Sequence, residues 1–241
     1  MEIGIFPSYF GAEIVLNKEN LHATRAYIAD FTPDYEAGVR LHFKPDEHNT
    51  FSAMILNGWQ VIKETNSTKA LALTWSLNKP GKIVGNWNWM FADEQPITKG
   101  YSLFRHYQNI YFRIWLGQRW MILPVFDFMI EKKAPSDAKG WNKIVAPAIS
   151  ARYSISPHFG VAGRYEYIYD PKNLIPELRT GTPNGWQSNA ATLTFEYLPS
   201  QIVTFRLEGK YGVNKDAVFR NGSNNLVNED WYGIVSTSFY F

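Results

Sequence analysis

Residues 201–213, QIVTFRLEGKYGV, set Val203, Phe205, Leu207, Gly209, Tyr211 and Val213 on one side of an extended chain. Thr204, Arg206, Glu208, Lys210 and Gly212 fall on the other. Successive side chains of a strand point to opposite faces, so this period of two predicts a strand with one apolar and one charged face. Upstream, Ala191, Leu193, Phe195 and Tyr197 alternate with Thr192, Thr194 and Glu196. Phe159, Val161, Tyr165, Tyr167 and Tyr169 oppose Arg164, Glu166 and Asp170, and Val145, Pro147, Ile149, Ala151 and Tyr153 oppose Ala146, Ala148, Ser150, Arg152 and Ser154. Near the start, Tyr35, Ala37, Val39, Leu41 and Phe43 alternate with Glu36, Gly38, Arg40 and His42, while Trp87, Trp89 and Phe91 alternate with Asn86, Asn88 and Met90.

About twelve such strands, each of roughly ten residues, are expected near 1–6, 35–43, 50–62, 69–77, 82–91, 104–116, 119–131, 143–155, 159–170, 187–198, 201–213 and 231–241. That places more than half of the chain in strands, far above the roughly 20–25% of ordinary globular domains. Short connections at 44–50, 79–82, 117–119, 156–158 and 199–201 alternate with long ones at 7–34, 63–68, 92–103, 132–142, 171–186 and 214–230. Tight turns at one end and longer loops at the other suit an up-and-down barrel in a membrane. A soluble sandwich shows the same alternation. Three features favour the membrane: aromatics near the strand ends (Trp87, Trp115 or Trp120, Tyr153, Tyr169, Tyr197, Trp231, Phe241), long uniform strands, and a chain that closes on an aromatic strand, WYGIVSTSFYF. Pro124 and Pro147 fall inside strands and predict a local bulge at each, because proline removes a ladder donor.

Composition sharpens this picture. Charged residues make up 19% of the chain and aromatic residues 16%, the former below the roughly 25% of soluble domains. With 24 Lys and Arg against 22 Asp and Glu, the net charge of +2 gives no reason to expect nucleic acid. The absence of cysteine excludes disulfides and thiolate metal sites. No run of about 18 apolar residues predicts a membrane helix. Met1–Phe6 lacks the basic start and apolar core of an export signal, so either the chain stays in the cytosol or its true N-terminus lies upstream.

GIFPSYFGAE (4–13), YEAGVRL (35–41), LNGWQ (56–60), TGTPNGWQ (180–187), GKYGVNKDAVF (209–219) and the aromatic C-terminal strand resemble the putative β-barrel porin-2, OmpL-like family over essentially the whole chain. The resemblance implies an all-β, transmembrane antiparallel up-and-down barrel in the outer membrane of a Gram-negative bacterium, with barrel-assembly machinery as a partner. Family members carry a signal peptide and further strands before the GIFPS-like stretch. The resemblance therefore implies a single barrel domain over 1–241 that is truncated at its N-terminus, with the closure of the barrel left open.

With lipid on the apolar face, the other face lines a polar interior. Glu36, Arg40, Arg113, Asp127, Glu131, Arg152, Arg164, Glu166, Arg206, Glu208 and Lys210 are expected to point inward. Such an interior suits passive diffusion of small polar solutes or ions without a cofactor, and a slight basic excess suggests weak anion preference. The alternative is a structural or surface-interaction barrel whose charges merely pair with one another across strands. Residues 7–34 make a long connection; NLHATRAYIADF (20–31) has an Asn cap and near-helical apolar spacing, and so predicts a helix that folds in as a constriction or packs on the mouth.

An enzyme finds little support. His22, His42, His48, His106 and His158 have no metal-ligand spacing, and no G-x-S-x-G occurs. Asp46, Glu47 and His48 read as turn chemistry, and NGSNNLVNED (221–230) as an exposed loop.

Facing can be tested directly. Phe205→Arg or Leu207→Arg should block insertion into lipid, because a lipid-facing Arg at mid-membrane costs roughly 2–4 kcal/mol. Thr204→Arg should insert normally and change conductance instead. Vesicle flotation together with single-channel recording reads both outcomes; the reverse pattern would turn the sheet inside out.

Overall fold

The computed structural model describes residues 1–14, 16–64, 66, 68–94, 100–134, 140–175 and 180–240. Twelve strands hydrogen-bond in one antiparallel sheet. They are β1 (Glu2–Pro7), β2 (Tyr35–Phe43), β3 (Asn49–Leu56), β4 (Ala70–Lys79), β5 (Ile83–Asp93), β6 (Phe104–Leu116), β7 (Trp120–Lys132), β8 (Trp141–Ser154), β9 (Phe159–Asp170), β10 (Trp186–Ser200), β11 (Val203–Asn214) and β14 (Glu229–Phe239). Each pairs with the next in chain order. The exception is the short ladder of β12 (Phe219–Arg220) with β13 (Leu226–Val227), inside the loop between β11 and β14. Among the described residues no ladder joins β1 to β14. No helix there is long and apolar enough to cross a membrane.

The expected strands are present, with shifted ends. The third stops at Leu56 rather than 62, because Asn57–Gln60 turns away with Gly58 at φ 140° and Gln60 at φ 53°. The tight turns hold as expected. In the β2–β3 turn, Asp46 Oδ1 accepts the backbone N–H groups of His48 and Asn49 at 2.7 and 2.8 Å. The Asn49 side chain and then those N–H groups hold the Asp46 carboxyl below its usual range.

The two prolines do not make bulges. Tyr111↔Val125 and Ile114↔Ile122 share one register on either side of Pro124, which still pairs with Ile149 on β8. Likewise Val145↔Tyr169 and Ala148↔Glu166 share a register across Pro147, which still pairs with Phe126. An antiparallel residue bonds toward one neighbour only, so each proline weakens one ladder and spares the other. The register does shift between Tyr197 and Ser200, at the β10–β11 turn.

The partition of side chains is inside out. Leu193, Phe195, Leu207 and Val235 stand 50, 52, 57 and 80% exposed, while Asn88, Asn109, Asp127, Glu166 and Arg206 on the opposite face are buried. Water does not tolerate so continuous an apolar surface; a bilayer requires it. Aromatics mark both rims of this band. Toward the tight turns, Trp120 packs on Tyr153 (4.8 Å) and Phe159 on Tyr197 (4.6 Å); toward the long loops, Phe104 packs on Trp141 (6.1 Å). Trp231 is exposed on the same outer face. Phe241, expected in the same belt, lies outside the described residues.

Backbone approach decides where a side chain can be added. A Cβ at Gly85 would lie 2.0 Å from the Tyr111 carbonyl oxygen and 2.7 Å from Phe112 Cα, whereas one at Gly209 would meet nothing within 4 Å. Gly85→Val should therefore abolish the heat-modifiable band of the folded protein on gels, and Gly209→Val should retain it.

Candidate functional site

The concave face of the sheet wraps residues 8–34. Backbone atoms of this segment bond to strands far apart in sequence: Gly11 N–H donates to Asn109 on β6 (3.0 Å), and the Asn88 amide on β5 donates to the Tyr9 carbonyl (3.0 Å). Phe10 and Ile28 pack on an apolar patch of the inner face that includes Met54, Met90, Tyr107, Met129 and Ile168. The interior is thus polar in part only, and residues 8–34 occupy the space that the alternation assigns to water.

The helix expected over 20–31 does not form. Among the described residues of this segment the assigned helix is a single 3-10 turn at Asn17–Glu19, and Ala26–Phe31 close only isolated hydrogen-bonded turns. The reason lies in the wall, whose charged groups take the backbone bonds that a helix would use internally. Glu208 accepts the N–H groups of Ala23 (2.6 Å) and Thr24 (3.0 Å) and the Thr24 hydroxyl (2.5 Å). Glu166 accepts the Tyr27 N–H (2.5 Å), and Glu13, from within the segment, the Ala26 N–H (2.6 Å). Arg164 donates to the Thr24 and Arg25 carbonyls (2.8 and 3.1 Å), and Arg206 to those of Asn17 and Asn20 (2.9 and 2.8 Å). Bonds to ionised groups are the stronger kind, and here they outcompete weak local helix propensity.

All eleven residues singled out from the sequence lie in the inward phase of their strands. Five of them, Arg164, Glu166, Arg206, Glu208 and Lys210, converge on residues 13–27. Lys210 reaches Glu166 at 2.9 Å, and Arg164 reaches Glu13 at 2.8 Å and Glu166 at 3.2 Å. Arg113 holds the same segment through the Ala12 and Glu19 carbonyls (3.2 and 2.8 Å). Arg152 and Arg206 share Glu196 (2.7 and 3.0 Å). The remaining four lie apart. Asp127 accepts from Asn109 (2.8 Å) and Tyr107, Glu131 pairs with Arg105 (2.5 Å), and Arg40 pairs with Glu2. Among the described residues Glu36 accepts only from Ser8 (3.2 Å), and its second oxygen is buried without a partner there.

Several participants escaped the sequence reading. Glu196, set on the polar face of its strand by the alternation but not singled out, and Arg105 stand in the inward phase of β10 and β6; Glu13 sits in a connection with no period to place it. Among the described residues no group of three His, Cys, Asp or Glu side chains could hold a metal ion.

Cavities remain at both mouths. One of about 730 Å³ opens toward the long loops between Trp59, Glu94, Arg105 and Ile175, and burial raises the Glu94 carboxyl above its usual range there. Another of about 720 Å³ opens toward the tight turns, beside Arg152, Glu196, His158 and Thr204. Between Glu13, Arg164, Leu123 and Ala148 only about 10 Å³ is free.

An apolar belt between aromatic rims, wrapped around a charged interior, defines the fold of outer-membrane porin barrels. This chain belongs to the family described as Putative beta-barrel porin-2, OmpL-like, whose sequence profile matches residues 1–241. No curated protein matches it in sequence. Among solved structures it is similar to an anion-selective porin from Comamonas acidovorans, at 12% identity and a TM-score of 0.54 over 83% of this chain and 55% of that one. It is also similar to OmpT, an outer membrane protein of Vibrio cholerae (15% identity, TM-score 0.52, 86% of this chain and 65% of that one). The NanC porin aligns over 86% of this chain and 93% of its own at 11% identity and a TM-score of 0.43. The chain thus spans about half the length of the Comamonas porin.

The anchoring of residues 8–34 is open to test. Arg164→Ala leaves Glu13 buried without its counter-charge and Glu166 with Lys210 alone, a loss of about 3–5 kcal/mol for a broken buried pair. Trypsin should then cut the folded, detergent-solubilised protein after Arg25, a bond protected in the parent. Protection that persists in the variant would mean that apolar packing of Phe10 and Ile28 suffices.

Proposed function

We propose that residues 1–241 act as one barrel domain of a porin-like channel in the Gram-negative outer membrane. It admits small polar solutes or ions by passive diffusion, with neither cofactor nor catalysis. Its interior-facing residues include Glu36, Arg40, Arg113, Asp127, Glu131, Arg152, Arg164, Glu166, Arg206, Glu208 and Lys210. The observation that carries this reading is the inside-out partition: charge concentrated within, and apolar side chains outside between aromatic rims. Residence there requires an export signal and barrel-assembly machinery, and outer-membrane lipid is the partner of the belt.

A structural barrel without an open pore is favoured by one feature, the filling of the interior by residues 8–34 with almost no free volume beside Arg164. Planar-bilayer recording separates the two. The parent chain should give discrete conductance steps, and deletion of residues 14–30 should enlarge them severalfold. If neither protein conducts, the structural reading takes over; if the deletion leaves conductance unchanged, residues 14–30 are no constriction.

A further inference from the structure

We infer that solute passes residues 8–34 on one side only, through a corridor between residues 14–30 and the β11–β14 wall, with Lys210 as its charge filter favouring small anions. The inference rests on the channel reading above and assigns its path.

Three cavities define the corridor. One of about 410 Å³ lies between the segment and the wall, bounded by Thr24, Arg25, Tyr27, Lys210 and Tyr232. Asp30 borders both this cavity and the one at the long-loop mouth, and Asn20 borders both it and the one at the tight-turn mouth. These shared residues set the three side by side, and the inferred corridor joins them from one mouth to the other. Against β7 and β8, on the opposite flank of the segment, the free volume of about 10 Å³ is below what a hydrated ion needs.

The corridor's surface chemistry is uneven. Lys210 lies along it, whereas its partner Glu166, 2.9 Å away, does not border the cavity. The ammonium sits 4.0 Å over the Tyr27 ring, and its side chain is only 2% exposed. Paired with Glu166 behind it, Lys210 acts on a passing ion as the near, positive end of that ion pair and not by direct contact. Arg25, the other cation of the corridor, is balanced by Asp30 and Asp34 at 2.8 and 3.0 Å. Tyr27 is seated by a glycine: a Cβ at position 212 would lie 2.3 Å from its hydroxyl, so β11 leaves room for the phenol to pack against the strand.

The chain contains no cysteine, which makes single-cysteine probes clean. Tyr232→Cys, labelled with a cationic methanethiosulfonate and checked by mass, should lose roughly half or more of its current; Val125→Cys, on the opposite flank, should keep its current. In a KCl gradient, Lys210→Gln should move the zero-current potential toward cation preference, and Lys210→Arg should restore it. A Tyr232→Cys protein that resists labelling, or conducts as before once labelled, overturns the corridor while the channel reading stands. An unchanged zero-current potential in Lys210→Gln overturns the filter. Absence of current in the parent and in every variant overturns the channel reading, and this inference with it.

Discussion

Hydrocarbon offers no hydrogen bonds, so a chain that crosses it must pair its backbone within itself. A side-chain period of two meets that demand through antiparallel ladders, and the rest of the structure follows from it. With eleven successive pairings in register, each strand commits all its odd or all its even residues to lipid. A slip of one residue between β10 and β11 would turn Arg206, Glu208 and Lys210 outward together and bring Phe205 and Leu207 inside. The shift at Tyr197/Ser200 is harmless because it falls in the turn, beyond the apolar belt. The same demand singles out β1 and β14, whose outer edges carry no ladder to one another among the described residues.

The second constraint arises inside. Once residues 8–34 displace water from the concave face, its charges need partners in fixed places. They find them partly in each other, as in Arg105–Glu131, and partly in the backbone of the segment itself. Glu208 and Arg164 act as clamps of opposite polarity, one gathering N–H groups and the other carbonyls from the same short stretch. A buried ion pair is weak support for stability taken alone. Its effect here is on conformation: it dictates which irregular path the segment follows.

That division explains what could be read in advance. The strands, their order, their facing and the alternation of tight turns with long loops were legible, because period two is a local property that survives into the sheet. Arg164, Glu166, Arg206, Glu208 and Lys210 were found by phase alone. Residues 20–31 misled for the opposite reason. Their spacing suits a helix, but the partners that hold the backbone of Ala23, Thr24 and Tyr27 lie some 140 to 185 positions away, on β9 and β11. No local signal reports such bonds. Met54, Met90 and Met129 also lie in the inward phase yet carry no charge, and the apolar seat they form under Phe10 becomes visible only once the segment is in place. The prolines misled more simply: a missing donor affects one ladder, and Pro124 and Pro147 each kept the other.

These two constraints meet at the segment's free flank. Where residues 8–34 press on β7 and β8, apolar side chains and paired charges leave almost no free volume. Where they face β11 and β14, Tyr27 and Tyr232 present one apolar body and one polar tip each, and the packing leaves space. Aromatic rings are stiff and cannot collapse into the gap as a long aliphatic chain could, so volume persists beside them. Lys210 is held against one of these rings and paired with Glu166, its side chain almost wholly shielded; on the corridor proposed above, an ion would meet its field without a binding partner. Binding that is too strong would stall diffusion, and a field without a ligand avoids that trap.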